Sequence, residues 1–342
     1  MSSSKRNDQL PEDITMQKQN RRDFITAAGA LAAASALPSW GQPAAWPSKP
    51  IKILVGFPPG GGADAMARLV ASKLPEKLGQ PVVVENKTGA TGTISSDLVA
   101  KAPPDGYTLQ LAHINSNAIG PLLVAKGRFD PIADFTPIAL IGITPQMLCH
   151  HPKHKFKDVP DMIRFAKANP GKLSFASSGV GSIQHIAGES FKLAAGVDLL
   201  HVPFKGTGEA LSALISGEVD LTFSSTGSAL PQVRGGKLTL LAVCSPKRLP
   251  AFPDVPAVAE TLPGYEIATW YGLAGPGKLP RPIVDRLSTE VRAILAQPEI
   301  AKRLQDLDAE VSSGTPEQFA TFWAAEIEKY KKLIVAAKID PA

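Results

Sequence analysis

The chain has 342 residues, 44% of them apolar and 20% charged, proportions that suit a globular protein of one large or two modest domains. Aromatics make up only 6%, which argues against a surface that stacks nucleic-acid bases. The formal net charge is +5, spread along the chain; such a mild excess fits solubility and leaves room for a small anionic partner.

The first element reads as an export signal. Asn20-Arg21-Arg22-Asp23-Phe24-Ile25 has a twin-arginine pattern, Phe24 to Leu37 is apolar and Ala-rich, and Ala34-Ser35-Ala36 is a cleavage site of the A-x-A type. The apolar run is shorter than the roughly 20 residues that span a bilayer, and no later run reaches that length. Residues 1–45 are therefore assigned to signal and leader, with Met16 an alternative start.

Ile51 to Phe57 reads as a buried strand, followed by the glycine turn Gly56-Phe57-Pro58-Pro59-Gly60-Gly61-Gly62-Ala63-Asp64. Ala65, Leu69, Leu74 and Leu78 then have helical spacing, with Asp64 in the cap or first turn. A strand, a tight turn and a helix N-terminus present unpaired N–H groups to an anion. The turn lacks the Gly-Lys-Ser/Thr ending of a P-loop and the G-x-G-x-x-G spacing of a dinucleotide site; what remains is a neutral nest suited to a carboxylate. Pro81 to Glu85 is a strand, Asn86 to Gly92 a further glycine-rich turn, Ile94 to Lys101 a helix and Tyr107 to Ala112 a strand. This alternation predicts an open α/β domain with a parallel core.

The pattern restarts near residue 150. Helices are expected over 158–168, 183–195 and 209–216, and strands over 173–177, 200–204, 219–223, 238–245 and 267–274. The Pro-rich stretch 250–263 reads as a crossing between two units, and 282–337 as a helical tail returning to the first. The second glycine turn is Ser177-Ser178-Gly179-Val180-Gly181-Ser182, with Ser182 as N-cap of the helix carrying His185. Two such turns suggest a ligand gripped by amides from both sides. An enzyme would take Ser178 or Ser182 as nucleophile and His185 as base, yet the turn is no G-x-S-x-G elbow and the spacing alone does not bring imidazole to hydroxyl. Cys149 and Cys244 read as small buried residues at strand ends, or as a pair in an oxidising compartment. His150, His151 and His154 read as a solvated loop rather than a metal site.

The chain resembles the substrate-binding receptors of tripartite tricarboxylate transporters, the Bug family of periplasmic proteins. The resemblance rests on the first glycine turn, Glu85 to Ala90, Pro104-Asp105-Gly106-Tyr107-Thr108-Leu109, Asp134-Phe135-Thr136-Pro137-Ile138-Ala139, the second glycine turn, His201-Val202-Pro203-Phe204-Lys205-Gly206, Pro253-Asp254-Val255-Pro256 and Trp270-Tyr271-Gly272-Leu273. These follow one another over essentially the whole chain beyond residue 45. The resemblance implies an α/β, type II-like periplasmic binding protein with two lobes, 46–149 with 272–342 and 150–271, and a ligand cleft between them. It implies a monomeric, non-enzymatic receptor without cofactor, metal or nucleic acid, which takes a small organic carboxylate to membrane permease subunits; the alternatives are a ligand-sensing subunit for a signalling partner and an enzyme on the same two-lobed scaffold. Carried over, backbone N–H groups at Phe57, Gly61, Gly62, Ala63 and Asp64 hold a carboxylate, Thr91 and Gly92 line the same lobe, and Ser178 and Ser182 serve the opposite one. Ser225, between Ser224 and Thr226, takes a selecting position where relatives often carry an acid. That departure removes a partner for an ammonium group and favours a plain or aromatic carboxylate over an amino acid. His113-Ile114-Asn115-Ser116-Asn117 also departs from the family pattern.

Overall fold

In β1 (Ile51–Val55) every residue but Lys52 is buried, as a central strand requires. It pairs in parallel with β2 (Val82–Asn86) on one side and β3 (Thr108–His113) on the other. The helix α1 (Gly62–Ala71) starts where the glycine turn ends and packs Met66, Ala67 and Val70 into the same apolar cluster as Ile51, Ile53 and Val55. A short α2 (Leu74–Leu78) leads to β2; a 3₁₀ turn (Ala90–Gly92) leads into α3 (Thr93–Ala100). After β3, a π-helical turn (Asn115–Ile119) runs into α4 (Gly120–Leu123). This is a computed structural model and describes residues 46–306, 309–312 and 314–339; the stretch read above as an export signal lies outside them.

The next strand, β4 (Phe135–His150), has no counterpart in the sequence reading. From Phe135 to Pro145 it runs antiparallel to β9 (Ala268–Pro276); from Gln146 to His150 it runs antiparallel to β7 (Leu221–Ser225), while Met147 to His150 pair with β8 (Thr239–Val243). Its register shifts between Pro137 and Ala139, between Leu140 and Gly142 and again between Leu148 and Cys149. Bulges of this kind bend a strand and raise its twist, which lets one strand serve two sheet halves. The order across the sheet is β2-β1-β3-β9-β4-β7-β5-β6, with β5 (Ser174–Ser177) and β6 (Leu200–Pro203) at the far edge and β8 and β10 (Glu310–Val311) attached to β4. The core is thus mixed: the outer strands pair in parallel as expected, but β9 and β4 enter antiparallel.

In the second half, α5 (Val159–Ala168), α6 (Ile183–Ala195), α7 (Thr207–Ser216) and α8 (Thr226–Arg234) connect the strands. The Pro-rich stretch corrects the reading: it stays in this half, with Val243 N–H bonded to Pro256 O at 2.9 Å and Val243 bridged to Ala257. The chain passes between halves along β4 and β9. The tail forms α9 (Arg281–Leu295), α10 (Pro298–Gln305) and α11 (Pro316–Ala336), the last opened by a reciprocal cap between Thr315 and Gln318. It packs back on the sheet: Trp323 lies against Trp270 of β9, ring centroids 5.3 Å apart, and donates Nε1–H to Asn117 O at 3.2 Å. The chain from Trp46 onward packs as one compact unit. Among the described residues no helix is long and apolar enough to cross a membrane.

Candidate functional site

The strands β1, β3, β5 and β7 end at a common place, and the segments that follow them line a cavity of about 650 Å³. Crevices beyond the carboxyl ends of strands are where open α/β sheets bind ligands. On one wall, the first helical amide bond of α1 runs from Ala65 N–H to Gly61 O at 2.9 Å. The amides of Gly62, Ala63 and Asp64 precede it and have no acceptor within the helix. Gly62 and Ala63 line the cavity together with Phe57 and Gly61. The amides sit at the positive end of the helix dipole.

The loop is held from behind. Asp64 is buried and its carboxylate accepts from Gly60 N–H at 3.0 Å, Arg68 Nε at 2.9 Å and Asn86 Nδ2 at 2.9 Å. The bond from Arg68 leads these effects in holding its pKa down at about 2, against the burial that raises it. Gly56 and Gly92 meet backbone to backbone: a Cβ on Gly56 would stand 2.6 Å from Gly92 O. Gly89, Ala90, Thr91 and Gly92 all have positive φ, so this turn curls tightly beneath Phe57. Thr91 and Gly92 line the cavity.

His113 and Tyr271 complete this wall. The Phe57 ring lies 4.4 Å from the imidazole and the Tyr271 ring 5.1 Å from it. Burial pulls the His113 pKa to about 3 and pushes the Tyr271 phenol up to about 12, so both are neutral donors at ordinary pH. The segment after His113 is fixed by a buried network in which Asn117 Oδ1 accepts from His113 N–H (3.1 Å), Gln110 Nε2 (3.2 Å) and Ser116 Oγ (2.7 Å).

The opposite wall differs from the expectation of a second amide nest. In the turn after β5, Ser178 N–H bonds to Gln184 Oε1 (3.2 Å), Gly179 N–H to Ser177 Oγ (3.2 Å), Gly181 N–H to His185 Nδ1 (3.3 Å) and Ser182 N–H to Gly179 O (3.2 Å). Ile183 N–H is taken by Asn115 Oδ1 from across the cavity at 2.9 Å. These amides are spent inside the protein. The wall offers side chains instead: Ser178, whose hydroxyl bonds to Gln184 Oε1, with Gln184, Thr207, Ser225 and Ser228. It also offers a helix start, at Thr207 rather than at the expected residue 209. In α7 the first ladder bond is Ala210 N–H to Gly206 O at 3.2 Å, leaving the amides of Thr207, Gly208 and Glu209 ahead of it.

Two assigned positions do not line the cavity. Asp64 acts behind the loop, as described. Ser182 is fully buried and caps α6, its hydroxyl accepting from His185 N–H at 3.3 Å. Its oxygen therefore meets the backbone of His185, not the imidazole, which stacks on His201 with centroids 4.0 Å apart. Phe57, Gly61, Gly62, Ala63, Thr91, Gly92, Ser178 and Ser225 do line it, as do His113, Asn115, Gln146, Gln184, Lys205 and Tyr271, which were not assigned. The usable signal was position: His113 closes β3, and Lys205 opens the turn before α7.

Among the described residues, Lys205 and Glu209 are the charged side chains along the walls, both exposed. Lys205 has no ion-pair partner among the described residues. Cys149 and Cys244 are buried free thiols; burial pushes Cys149 up to about 12. His154 bonds to Asp220 at 2.7 Å, and among the described residues no cluster of three His, Cys, Asp or Glu could hold a metal.

Comparison with known proteins gives a consistent result. The family described as "Tripartite tricarboxylate transporter family receptor" matches residues 66–339. Protein BugT of Bordetella pertussis is 33% identical over 313 residues, 91% of this chain and 94% of its own. Among solved structures, an R. palustris protein with adipate superposes with a TM-score of 0.82 at 34% identity, over 87% of this chain and 100% of that one. MatC of Rhodopseudomonas palustris with bound malate gives 0.78 at 33% identity, over 84% and 100%.

Proposed function

This chain belongs to the tripartite tricarboxylate transporter receptor family, and we propose that it captures a small organic carboxylate and delivers it to the membrane permease subunits of such a transporter. Its fold is the type II-like, two-part α/β architecture of periplasmic solute-binding proteins. The observation that carries the ligand class is the first wall: the free amides of α1 beside the neutral donors His113 and Tyr271, with no carboxylate side chain lining it among the described residues. Neutral donors at a helix N-terminus hold an anion firmly yet allow its release. The adipate and malate carried by two relatives support a di- or polyacid as ligand here.

The finer reading is that 46–149 with 272–342 and 150–271 act as lobes that close on the ligand about β4 and β9. The bond from Ile183 to Asn115 crosses between them. The twin-arginine signal would send a monomeric receptor to the periplasm, the compartment of its solved relatives. In this reading no bond is made or broken; the Ser178 hydroxyl bonded to Gln184 and the Ser182 hydroxyl bonded to the His185 backbone support it.

Thermal-shift titration of the purified protein with acetate, succinate, malate, adipate, citrate and benzoate tests the reading. Stabilisation by at least one acid is expected. Stabilisation by a sugar or a metal alone would overturn it.

A further inference from the structure

The His113 side chain is 6% exposed, yet it lines the cavity. Phe57 and Tyr271 clamp the ring, and the pairing of His113 with Tyr271 across β3 and β9 fixes its height. Its Nδ1 accepts Asn115 N–H at 3.0 Å. A nitrogen that accepts cannot carry the proton of a neutral imidazole, so the proton belongs to Nε2. Among the described residues Nε2–H finds no protein acceptor. Buried donors are as a rule paired, so a donor held rigid and left open toward a cavity calls for an acceptor from outside the chain.

The place of this donor names the acceptor. Phe57, against the ring, belongs to the loop that ends in the α1 amides. A Cβ on Gly62 would stand 3.2 Å from Tyr271 Oη. Imidazole, phenol and amides therefore share one end of the cavity.

We propose that His113 is a specificity-determining ligand residue whose Nε2–H donates to an oxygen of the carboxylate held by the N-terminus of α1. The proposal rests on the carboxylate-receptor reading and deepens it. A neutral N–H donates to an oxygen and repels no anion, but it offers nothing to an ammonium group. An acid that is unsubstituted or hydroxylated next to its carboxylate therefore gains fully from this donor, whereas the ammonium of an α-amino acid gains nothing from it. Burial alone keeps the ring neutral; no charged neighbour acts on it. The groups packed around it from the other elements are Phe57, Asn115, Asn117 and Tyr271, none charged at neutral pH.

The test is calorimetric titration of wild type, His113→Phe and His113→Gln with succinate, malate, adipate and aspartate between pH 6 and 8. His113→Phe keeps the aromatic packing and removes the donor; His113→Gln restores an N–H. Expected are a loss of about tenfold to a hundredfold in affinity for the bound acids in His113→Phe, recovery of most of it in His113→Gln, and weaker binding of aspartate than of succinate. Wild-type affinity is expected to stay level across the pH range. Unchanged affinity in His113→Phe overturns the proposal, and so does a wild-type affinity that climbs as pH falls, which would mark an imidazolium. The wild-type pH profile stands as a test even where His113→Phe does not fold. If no acid binds wild type, the receptor reading falls with it; if acids bind but ignore His113→Phe, only this proposal falls.

Discussion

Asn86 Nδ2 lies 2.9 Å from Asp64 Oδ1 and also 2.9 Å from Phe57 O, so one amide ties the helix to the loop that precedes it. Asp64 extends the tie to Gly60 N–H and Arg68. The amides that face the cavity are thereby positioned by a side chain that does not line it.

Asp64→Ala should therefore damage binding without removing a contact. It leaves Gly60 N–H and Asn86 Nδ2 without their carboxylate, at roughly 1–3 kcal/mol for bonds to a charged group. Affinity for the bound acid is expected to fall about tenfold, with lower thermal stability and unchanged ligand selectivity. Calorimetry and thermal unfolding read both effects. Full affinity in the folded variant would show that the loop keeps its shape unaided.

Gly92 should tolerate no side chain. Its φ is +89°, and a Cβ would stand 2.9 Å from Phe57 Cζ and 3.0 Å from Ser116 Cβ. Gly92→Ala combines backbone strain with displacement of the Phe57 ring from His113, at roughly 1–3 kcal/mol. A lower melting temperature and weaker stabilisation by the bound acid are expected from thermal-shift assays of the pair.

The stability of the second half should weaken in acid. Burial raises the Asp220 pKa, but bonds from His154, Ser174 and Lys153 outweigh it and hold it at about 2, against 3.8 for the free side chain. A depressed folded-state pKa contributes stability that is complete above the unfolded value and is lost as pH falls toward the folded one. Asp220 thus supplies roughly 2 kcal/mol at neutral pH that disappears between about pH 4 and pH 2. Urea unfolding of wild type against Asp220→Asn should show a gap at pH 6 that narrows at pH 2.5.

Much of this architecture was readable because local and global signals agree. The strands that open each half are short apolar runs followed by glycine turns, and β1, β2, β3, β5 and β6 stand within a residue or two of where the sequence puts them. β4 was not readable, because Pro137 and Pro145 break a strand pattern. The structure accommodates Pro137 at a register shift and Pro145 where the strand changes partner. The site was half readable. The α1 turn shows its chemistry in its glycines, since no side chain competes for its amides. The β5 turn looks equivalent in sequence, but its amides are consumed by Gln184, His185, Ser177 and Asn115, contacts that only folding brings together. His113 was hidden because a histidine ending a strand is ordinarily a packed residue; only the clamp of Phe57 and Tyr271 gives it a role.

Lys205 should sort ligands by charge. It stands exposed beside the cavity, and its backbone amide bonds to Glu209 Oε2 at 3.2 Å, at the start of a helix whose first amides are free. An exposed ammonium attracts a second carboxylate over a distance, and added salt screens it within about 10 Å at 0.1 M. A monoacid engaged at the α1 end gains little from it. Lys205→Ala is therefore expected to weaken binding of succinate, malate or adipate several-fold at low salt, to spare benzoate and acetate, and to flatten the salt dependence of diacid affinity. Calorimetry in 10 mM and 300 mM sodium chloride separates these outcomes. An equal loss for mono- and diacids would place Lys205 on the first carboxylate instead, and no loss for any acid would confine recognition to the neutral donors of the two walls.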